Sequence, residues 1–228
     1  MEQRDFLRTI LALTRDCQIP FSEEQALMCH RHVSLMLEWN RRCNLTRITD
    51  CAGIIEKHIL DSLIPSKWLP QSGAAIDIGS GPGFPGIPLK IAYPKLDVVL
   101  LESHRKKVSF LKVVLSQLPV RNVWALQGRW EEVLSIEPLL PKRSFRLATM
   151  RAVKMQSEYL CVAASRFLEP KGIFAWWAGP NADLGWQEEH RDDYERAGIE
   201  FQGSYSYSLP LTSQPRFLFV WKKEEPNP

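Results

Sequence analysis

Residues 76–86 decide the fold, and their sequence is Ile-Asp-Ile-Gly-Ser-Gly-Pro-Gly-Phe-Pro-Gly. A short strand that runs directly into a glycine-rich turn is typical of a parallel sheet whose ligand lies beyond the carboxyl ends of its strands. Glycine suits such a turn because no side chain blocks the approach of the backbone to the ligand. An ordinary surface turn is the alternative, and the strand immediately before the turn argues against it.

Outward from this turn, short apolar runs alternate with stretches whose apolar residues recur at helical spacing. Residues 108–118, for example, carry such a helical stripe. This alternation predicts a mostly parallel α/β sheet. The predicted strands of that sheet comprise residues 74–78, 98–101, 123–126, 146–150 and 173–177.

The C-terminal segment departs from this alternation. Residues 199–207 and 216–222 have strand-like sequences, and the loop between them contains prolines but no helical pattern. Two closing strands without an intervening helix predict an antiparallel hairpin at the edge of the sheet. We therefore predict a Rossmann-like α/β fold with a mostly parallel seven-stranded sheet. The terminal hairpin favours the variant found in S-adenosylmethionine-dependent methyltransferases over that of dehydrogenases.

The first 70 residues have helical periodicity and no strand candidate. Ser22 and Gln25 fit a capping box at the start of a helix, and a third helix is predicted over residues 54–63. The inner face of the capped helix would carry Ala26, Cys29, Val33, Met36 and Leu37. His32, on the same helix, is expected to serve packing or solvent contact. We divide the chain into an N-terminal helical subdomain (1–70) and a methyltransferase domain (71–228).

The spacing of the glycines distinguishes between nucleotide cofactors. A dinucleotide motif, G-x-G-x-x-G, would need its third glycine at the position of Phe84. The observed D-x-G-x-G-x-G begins at Asp77 and includes Gly79 and Gly81. It favours S-adenosylmethionine, which has no pyrophosphate but has an ammonium group that Asp77 could attract, directly or through water. Glu102, at the end of the next predicted strand, is placed to accept hydrogen bonds from both ribose hydroxyls.

Composition narrows the class of protein further. The net charge of +3 is too small to indicate a nucleic-acid partner by itself. The five cysteines are scattered without a C-x-x-C pair, so neither a disulfide framework nor a zinc site is predicted. No segment has the length and apolarity of a membrane span, and the charged N-terminus does not resemble a secretory signal. We expect a cytoplasmic protein that binds no metal.

An ordered set of short motifs resembles the bacterial small-subunit ribosomal RNA methyltransferase G family, also called glucose-inhibited division protein B. The set extends from about Trp39 to Ala152, and Arg216 and Lys222 resemble the closing strand of the family. Besides the glycine turn, which continues through Gly86-Ile87-Pro88-Leu89, its members are Trp39-Asn40-Arg41-Arg42-Cys43-Asn44-Leu45-Thr46, Lys57-His58-Ile59-Leu60-Asp61-Ser62-Leu63, Leu100-Leu101-Glu102-Ser103, Lys106-Lys107 with Phe110-Leu111, Asn122-Val123 and Arg151-Ala152. Each motif is short, and their order makes the set specific.

The resemblance implies N7-methylation of one guanine in the decoding-region loop of 16S rRNA, with S-adenosylmethionine as the methyl donor. The implied cofactor contacts are Gly79 and Phe84, Glu102 on the ribose, Trp130 and Glu131 beside the adenine, and Arg151 toward the cofactor or the substrate. Because guanine N7 has a free lone pair and no proton to lose, no catalytic base is assigned. Arg151 is the candidate for positioning the substrate.

The resemblance also implies contacts with rRNA of the small ribosomal subunit from Lys106, Lys107, Arg129 and Arg216. Without it, basic residues at the start of a helix are more typical of a solvated face. For the motif at residues 57–61 two roles remain open, which are docking of the helices onto the sheet and contact with the substrate. We expect a monomer.

Three other functions remain open. A NAD-dependent oxidoreductase would share the acidic residue after the second strand, but Phe84 and the lack of a Tyr-x-x-x-Lys motif disfavour it. A methyltransferase for a small molecule or a protein would keep Gly79, Gly81 and Glu102 without needing the basic residues. A non-catalytic ribosome-binding protein would bind the cofactor without transferring its methyl group.

Overall fold

A computed structural model of the chain describes residues 2–130, 144–152 and 155–225. Within these ranges the strands are β1 Gly73–Ile78, β2 Leu96–Glu102, β3 Val123–Gln127, β4 Phe145–Arg151, β5 Leu168–Ala178, β6 Ile199–Ser208 and β7 Pro215–Lys223. They form one seven-stranded sheet in the order β3-β2-β1-β4-β5-β7-β6.

The pairing of the strands confirms the predicted fold class. β1 pairs in parallel with β2 and β4, β2 with β3, and β4 with β5. β7 pairs antiparallel with both β5 and β6, which forms the predicted terminal hairpin. Because the chain continues to β2 on one side of β1 and returns to β4 on the other, a crevice opens at the carboxyl ends of β1 and β4. The glycine turn begins at this point.

The helices precede the sheet or cover its faces. They are α1 Gln3–Asp16, α2 Glu23–Cys43, α3 Cys51–Ile54, α4 Asp61–Leu63, α5 Gly86–Ala92, α6 Arg105–Gln117, α7 Ser157–Val162, α8 Trp186–Glu189 and α9 Arg191–Arg196. The capping box predicted for α2 is present, since Ser22 N donates to Gln25 Oε1 (2.8 Å) and Gln25 N donates to Ser22 Oγ (3.2 Å).

The helix predicted over residues 54–63 is part of a longer, irregular helical segment. α3 continues into a π-helical stretch, Ile55–Leu60, and then through α4 into a 3₁₀ turn, Ile64–Trp68. A π-helix has more residues per turn than an α-helix. Glu56 and Asp61 are buried together with the neighbouring leucines and isoleucines. Apolar periodicity indicates a helix here, but it does not show that part of the helix is π-helical and that the end is a 3₁₀ turn.

The helical segment packs on one face of the sheet. Residues of α1 and α2, such as Phe6 and Met36, belong to the same buried cluster as Leu100 of β2 and Phe110 of α6. A second cluster, around Trp221 of β7, fills the opposite face. Because the helices and the sheet share a core, the division of the chain at residue 70 stays a prediction.

The inner face of α2 is wider than predicted. Leu37 is only half-buried, whereas His32 and Leu35 are buried. The reason is that α2 lies between α1 on one side and α5 and α6 on the other, so more than one stripe of the helix is covered. Cys17, Cys29, Cys43, Cys51 and Cys161 are free thiols.

Glu56 connects the irregular helix to the hairpin of β6 and β7. Its carboxylate oxygen Oε1 accepts hydrogen bonds from the backbone amides of Leu211 and Thr212, both at 2.7 Å, and from the Thr212 hydroxyl at 3.2 Å. The side chain is buried, so the carboxylate has exchanged water for these donors. This contact fixes the loop that leads into β7.

Replacing Glu56 with alanine should destabilise the fold, because the backbone amides of Leu211 and Thr212 would lose the carboxylate that accepts their hydrogen bonds. We expect the free energy of unfolding to fall by about 1.5–3 kcal/mol, the range typical of hydrogen bonds to a charged group. Urea unfolding measures the change. Glu38→Ala, at an exposed position of α2, is the matched control. Equal losses in the two variants would contradict the anchoring role.

Candidate cofactor site

The glycine turn is bonded to the end of the neighbouring strand. Leu101 O accepts hydrogen bonds from Gly79 N (2.9 Å) and Ser80 N (3.0 Å). Gly79 and Gly81 have φ values of 71° and 55°, which glycine adopts without strain. A Cβ at Gly81 would come no closer than 3.9 Å to Gly79 O, so there is space beside the turn. The turn therefore leaves room for a ligand against its backbone.

Asp77 supports the turn from inside the protein. Its Oδ2 accepts a hydrogen bond from Gly86 N (3.1 Å), and its Oδ1 accepts one from the Thr149 hydroxyl (2.8 Å). Burial raises the pKa of Asp77 to about 6, and the hydrogen bonds from Thr149, Ser80 and Gly86 offset only part of this rise. The carboxylate faces inward with 1% of the residue exposed, so direct contact with a cofactor ammonium stays a prediction.

Glu102 holds the other side of the turn. Its Oε2 accepts a hydrogen bond from Gly81 N (2.9 Å), and its Oε1 accepts one from His104 N (2.8 Å) and lies 3.0 Å from His104 Nδ1. Burial alone would raise the pKa of Glu102. The hydrogen bonds from His104, the charge of Lys107 and the Gly81 amide outweigh burial and lower this pKa. The side chain is therefore an ionised acceptor at neutral pH.

Two cavities meet at the turn, with Gly79 and Ser103 lining both. The first cavity, of about 250 Å³, lies at the ends of β1 to β4 and is lined by Ile78, Gly79, Leu101, Ser103, Gly128, Arg129, Trp130, Met150 and Tyr159. The second cavity, of about 380 Å³, extends toward the helical segment and is lined by Leu45, His58, Gly79, Ser80, Gly81, Pro82, Phe84, Glu102, Ser103, His104, Lys107, Arg151 and Ala152. Glu102 is thus at the junction of the two.

The first cavity has a flat apolar wall. Trp130 meets Tyr159 edge to face, with ring centroids 4.1 Å apart, and both side chains line the cavity beside Ile78 and Leu101. Arg129 lies exposed at its rim. The adenine contact of Trp130 stays a prediction, and its place in the wall of the cavity is compatible with a planar base. Glu131 lies outside the described residues.

Phe84, at the wall of the second cavity, lies between two histidine rings. The His58 ring stacks on it at a centroid distance of 4.7 Å, and the His32 ring lies on it at 4.9 Å. Burial lowers the pKa of His58 to about 3, with the charge of Arg151 adding to the effect, and burial lowers the pKa of His32 to about 4. Both rings are therefore neutral at physiological pH.

The two histidines are also hydrogen-bonded. His32 Nε2 lies 2.7 Å from Pro82 O within the glycine turn, and His58 Nε2 lies 2.9 Å from the Thr46 hydroxyl. A place at the site was not predicted for His32, and for His58 it was one of the two roles left open for residues 57–61. For His32 the signal was present, because it lies three residues after the inward-facing Cys29 and four before Met36. For His58 the sequence held no signal beyond the family motif.

Asp61 anchors the helical segment to four strands, β4, β5, β6 and β7. Its Oδ2 pairs with Arg151 Nη2 of β4 at 3.0 Å. Its Oδ1 lies 3.6 Å from Arg216 Nε of β7 and accepts a hydrogen bond from the Tyr207 hydroxyl of β6 at 2.9 Å. Its backbone oxygen accepts a hydrogen bond from Trp177 Nε1 (2.9 Å). Of the two roles left open for this motif, these contacts support docking of the helices onto the sheet.

The predicted RNA-contacting residues have different surroundings. Lys106 is exposed, Lys107 lines the second cavity and Arg129 lines the first. The Arg216 side chain is only 12% exposed and is directed toward Asp61, not toward solvent. The sequence does not indicate this inward orientation, because Asp61 is 155 positions away along the chain.

Comparison with known proteins agrees with this geometry. Residues 25–201 match the family model described as rRNA small subunit methyltransferase G. The ribosomal RNA small subunit methyltransferase G 1 of Syntrophobacter fumaroxidans is 44% identical over 217 residues, which cover 95% of this chain and 96% of that protein. The chain belongs to the rRNA small subunit methyltransferase G family. The member from Moorella thermoacetica is 34% identical and covers 99% of this chain and 93% of its own length.

Solved structures of two proteins with bound S-adenosylmethionine share the fold. The TYW2 protein of M. jannaschii in complex with AdoMet superposes with a TM-score of 0.55 at 15% identity, covering 77% of each chain. Aeropyrum pernix fibrillarin with bound S-adenosyl-L-methionine gives a TM-score of 0.51 at 13% identity, covering 67% of this chain and 68% of that one. This protein is a methyltransferase that uses S-adenosylmethionine. The open cradle at Gly81, the ionised Glu102 and the flat wall at Trp130 fit that cofactor.

In the part of the chain that the structure describes, no helix combines the length and the apolar character required to cross a bilayer. Residues 2–130, 144–152 and 155–225 also contain no group of three or more histidine, cysteine or acidic side chains arranged to hold a metal ion.

Replacing Asp61 with asparagine should destabilise this methyltransferase. Two guanidinium groups that are mostly buried, those of Arg151 and Arg216, would lose their shared carboxylate. Removing one partner of such a pair costs about 3–5 kcal/mol. Urea unfolding measures the loss. Asp5→Asn is the matched control, because the Asp5–Arg8 pair is exposed and should contribute little. An Asp61→Asn variant as stable as that control would contradict the anchoring role.

Proposed function

We propose that this methyltransferase transfers a methyl group to N7 of a guanine in the decoding-region loop of 16S rRNA. The observation that carries the proposal is the position of the ionised Glu102 at the junction of the two cavities, in a chain of this family. One cavity suits an adenosine and the other admits a second, reacting base. The family name supports rRNA of the small subunit, and methylation at N7 needs no catalytic base because N7 has no proton to lose.

In the proposed complex, the cofactor spans both cavities. Its adenine lies against Trp130, with Glu131 nearby, and its ribose hydroxyls donate to Glu102. Its amino-acid end follows the backbone of Gly79 and Gly81 toward Phe84 and Arg151. Asp77 acts by holding the turn, with any contact to the ammonium made through water.

The reaction requires alignment more than proton transfer. Bound S-adenosylmethionine supplies a sulfonium methyl group, and the guanine N7 lone pair forms the new bond as the sulfur–carbon bond breaks. Holding the reacting atoms in line can contribute about 7–11 kcal/mol. Arg151 is the proposed positioning residue for the guanine. The neutral rings of His58 and Phe84 form an apolar wall beside it.

The RNA is proposed to contact Lys106, Lys107 and Arg129, which lie exposed or half-buried around the two cavities. A contact between Arg216 and RNA would require the guanidinium to leave Asp61. We therefore favour Lys106, Lys107 and Arg129 over Arg216 as RNA-contacting residues. The protein is proposed to act as a cytoplasmic monomer on the small ribosomal subunit.

The proposed function is tested with labelled S-adenosylmethionine and three substrates, which are unmodified 30S subunits, protein-free 16S rRNA and 50S subunits. Label should enter 16S rRNA alone, and mass spectrometry of the digested rRNA should identify N7-methylguanosine in the decoding-region loop. Label in 50S subunits, or at another base, would rule out the proposal. Binding of the cofactor without any transfer would indicate a non-catalytic ribosome-binding protein.

Replacing Glu102 with glutamine should weaken cofactor binding without unfolding the protein. The amide offers one acceptor oxygen, which the Gly81 or His104 amide would occupy, so a ribose hydroxyl would lose a charged partner. We expect the dissociation constant for S-adenosylmethionine to rise by about 10- to 100-fold, since a hydrogen bond to a charged group contributes about 1.5–3 kcal/mol. Calorimetric titration measures it, with the exposed Glu24→Gln as control. Unchanged affinity would remove Glu102 from the ribose site.

The rate of methyl transfer should not depend on a histidine. Guanine N7 has no proton to lose, and the lowered pKa values of His58 (about 3) and His32 (about 4) keep both rings neutral from pH 6 to pH 8. Because a lowered pKa leaves the neutral form dominant above it, no protonation step of either ring falls in this range. Single-turnover methylation of 30S subunits should give a flat profile from pH 7 to pH 8, which lies above the pKa of about 6 of Asp77. A rate that changes tenfold per pH unit between pH 7 and pH 8 would contradict this mechanism.

A further inference from the structure

The loop between α2 and α3, residues 44–50, is fixed to the wall of the second cavity. The Asn40 side chain donates to Thr46 O (2.9 Å) and accepts a hydrogen bond from Thr46 N (2.9 Å), which closes the loop onto the last turn of α2. The Thr46 hydroxyl lies 2.9 Å from His58 Nε2, and Leu45 lines the cavity. The loop therefore has a defined position at the mouth of the cavity.

This loop and the helix turn before it carry exposed cations. Arg41 and Arg42 are in the last turn of α2, and Arg47 lies in the loop itself, one residue after Thr46. Within the described ranges none of the three has an ion pair with an acidic side chain. Cations in the last turn of a helix are favoured by its dipole, which accounts for Arg41 and Arg42. Arg47 has no such explanation.

A second set of cations lies at the same end of the molecule. The ring of Trp39, near the end of α2, is 5.8 Å from the ring of Phe110 in α6, so the end of α2 packs against the first turns of α6. Lys106 and Lys107 are in the first turn of α6, where the helix dipole disfavours positive charge. Positive groups thus approach the mouth of the second cavity from both α2 and α6. Such an arrangement is electrostatically costly unless a polyanion lies between them.

We propose that the loop at residues 44–50 is an RNA-binding element. Arg47, with Arg41 and Arg42 beside it, binds rRNA phosphates on one side of the cavity mouth, opposite Lys106 and Lys107. The helical segment then does more than support the sheet, because it supplies one wall of the RNA-binding cleft. This inference rests on the proposed function, since it concerns the rRNA substrate of the same site.

The test compares Arg47→Gln with Arg47→Lys and with a matched control, Arg15→Gln. Arg15 is an exposed cation at the end of α1, separated from Arg47 by the length of α2, about 30 Å for 21 residues. For each variant, the affinity for 30S subunits is measured over a series of salt concentrations, together with the KM for methylation and the affinity for S-adenosylmethionine. Removing one phosphate contact lowers the slope of log affinity against log salt concentration by about one.

Arg47→Gln should weaken binding to 30S subunits about five- to tenfold at physiological salt. It should also reduce the slope of log affinity against log salt concentration by about one. The KM for methylation should rise, and the affinity for S-adenosylmethionine should stay unchanged. Arg47→Lys should restore most of the loss, and Arg15→Gln should match the unmodified protein. An Arg47→Gln variant with normal affinity and slope would overturn the inference. If the unmodified protein itself methylates no rRNA, the proposed function fails instead.

A photoreactive amino acid at the exposed Thr49 distinguishes RNA from protein as the partner. Irradiation of the complex with 30S subunits should attach the loop to 16S rRNA. Attachment to a ribosomal protein alone, or no attachment, would overturn the proposal of an RNA contact.

Discussion

The conformation of the glycine turn depends on two carboxylates that accept hydrogen bonds from its backbone. Asp77 binds the amide of Gly86 at the end of the turn, and Glu102 binds the amide of Gly81 in its middle. The two carboxylates differ in their ionisation. Burial dominates at Asp77 and raises its pKa to about 6, whereas hydrogen bonds and a nearby lysine lower the pKa of Glu102. Asp77 is thus suited to hold the turn from inside, and Glu102 can remain an ionised acceptor at the edge of the cavities.

The helical segment completes the site that the turn begins. His58 lies on Phe84 and meets Thr46, so the loop after α2 is connected through one ring to the glycine turn. Asp61 connects the same helical segment to Arg151 at the end of β4. Parts of the chain about 90 residues apart therefore determine the shape of the second cavity together. A methyltransferase domain without these helices would keep the first cavity and lose a wall of the second.

The fold could be predicted from the sequence because its signals are local. Each predicted strand lies within an observed one, and the hairpin of β6 and β7 follows from two strand-like runs without a helix between them. The contacts of Arg216 and Asp61 could not be predicted, since they join side chains brought together only by tertiary packing. The π-helical stretch at Ile55–Leu60 was missed for another reason, because apolar periodicity does not separate it from an α-helix over six residues. His32 could have been placed by its spacing on α2.

The charges around the second cavity suit a reaction that leaves the base positive. A unit charge about 4 Å from the growing charge on the guanine would oppose it by about 4 kcal/mol at an effective dielectric constant of 20. Arg151 lines this cavity, and its pairing with Asp61 at 3.0 Å reduces that repulsion. The lowered pKa values of His58 and His32 prevent two further charges from forming. The exposed cations, such as Arg47 and Lys106, lie at the mouth of the cavity, where in the proposed complex the RNA phosphates would compensate them. Positive charge is thereby available to bind the RNA backbone without acting against methyl transfer at the base.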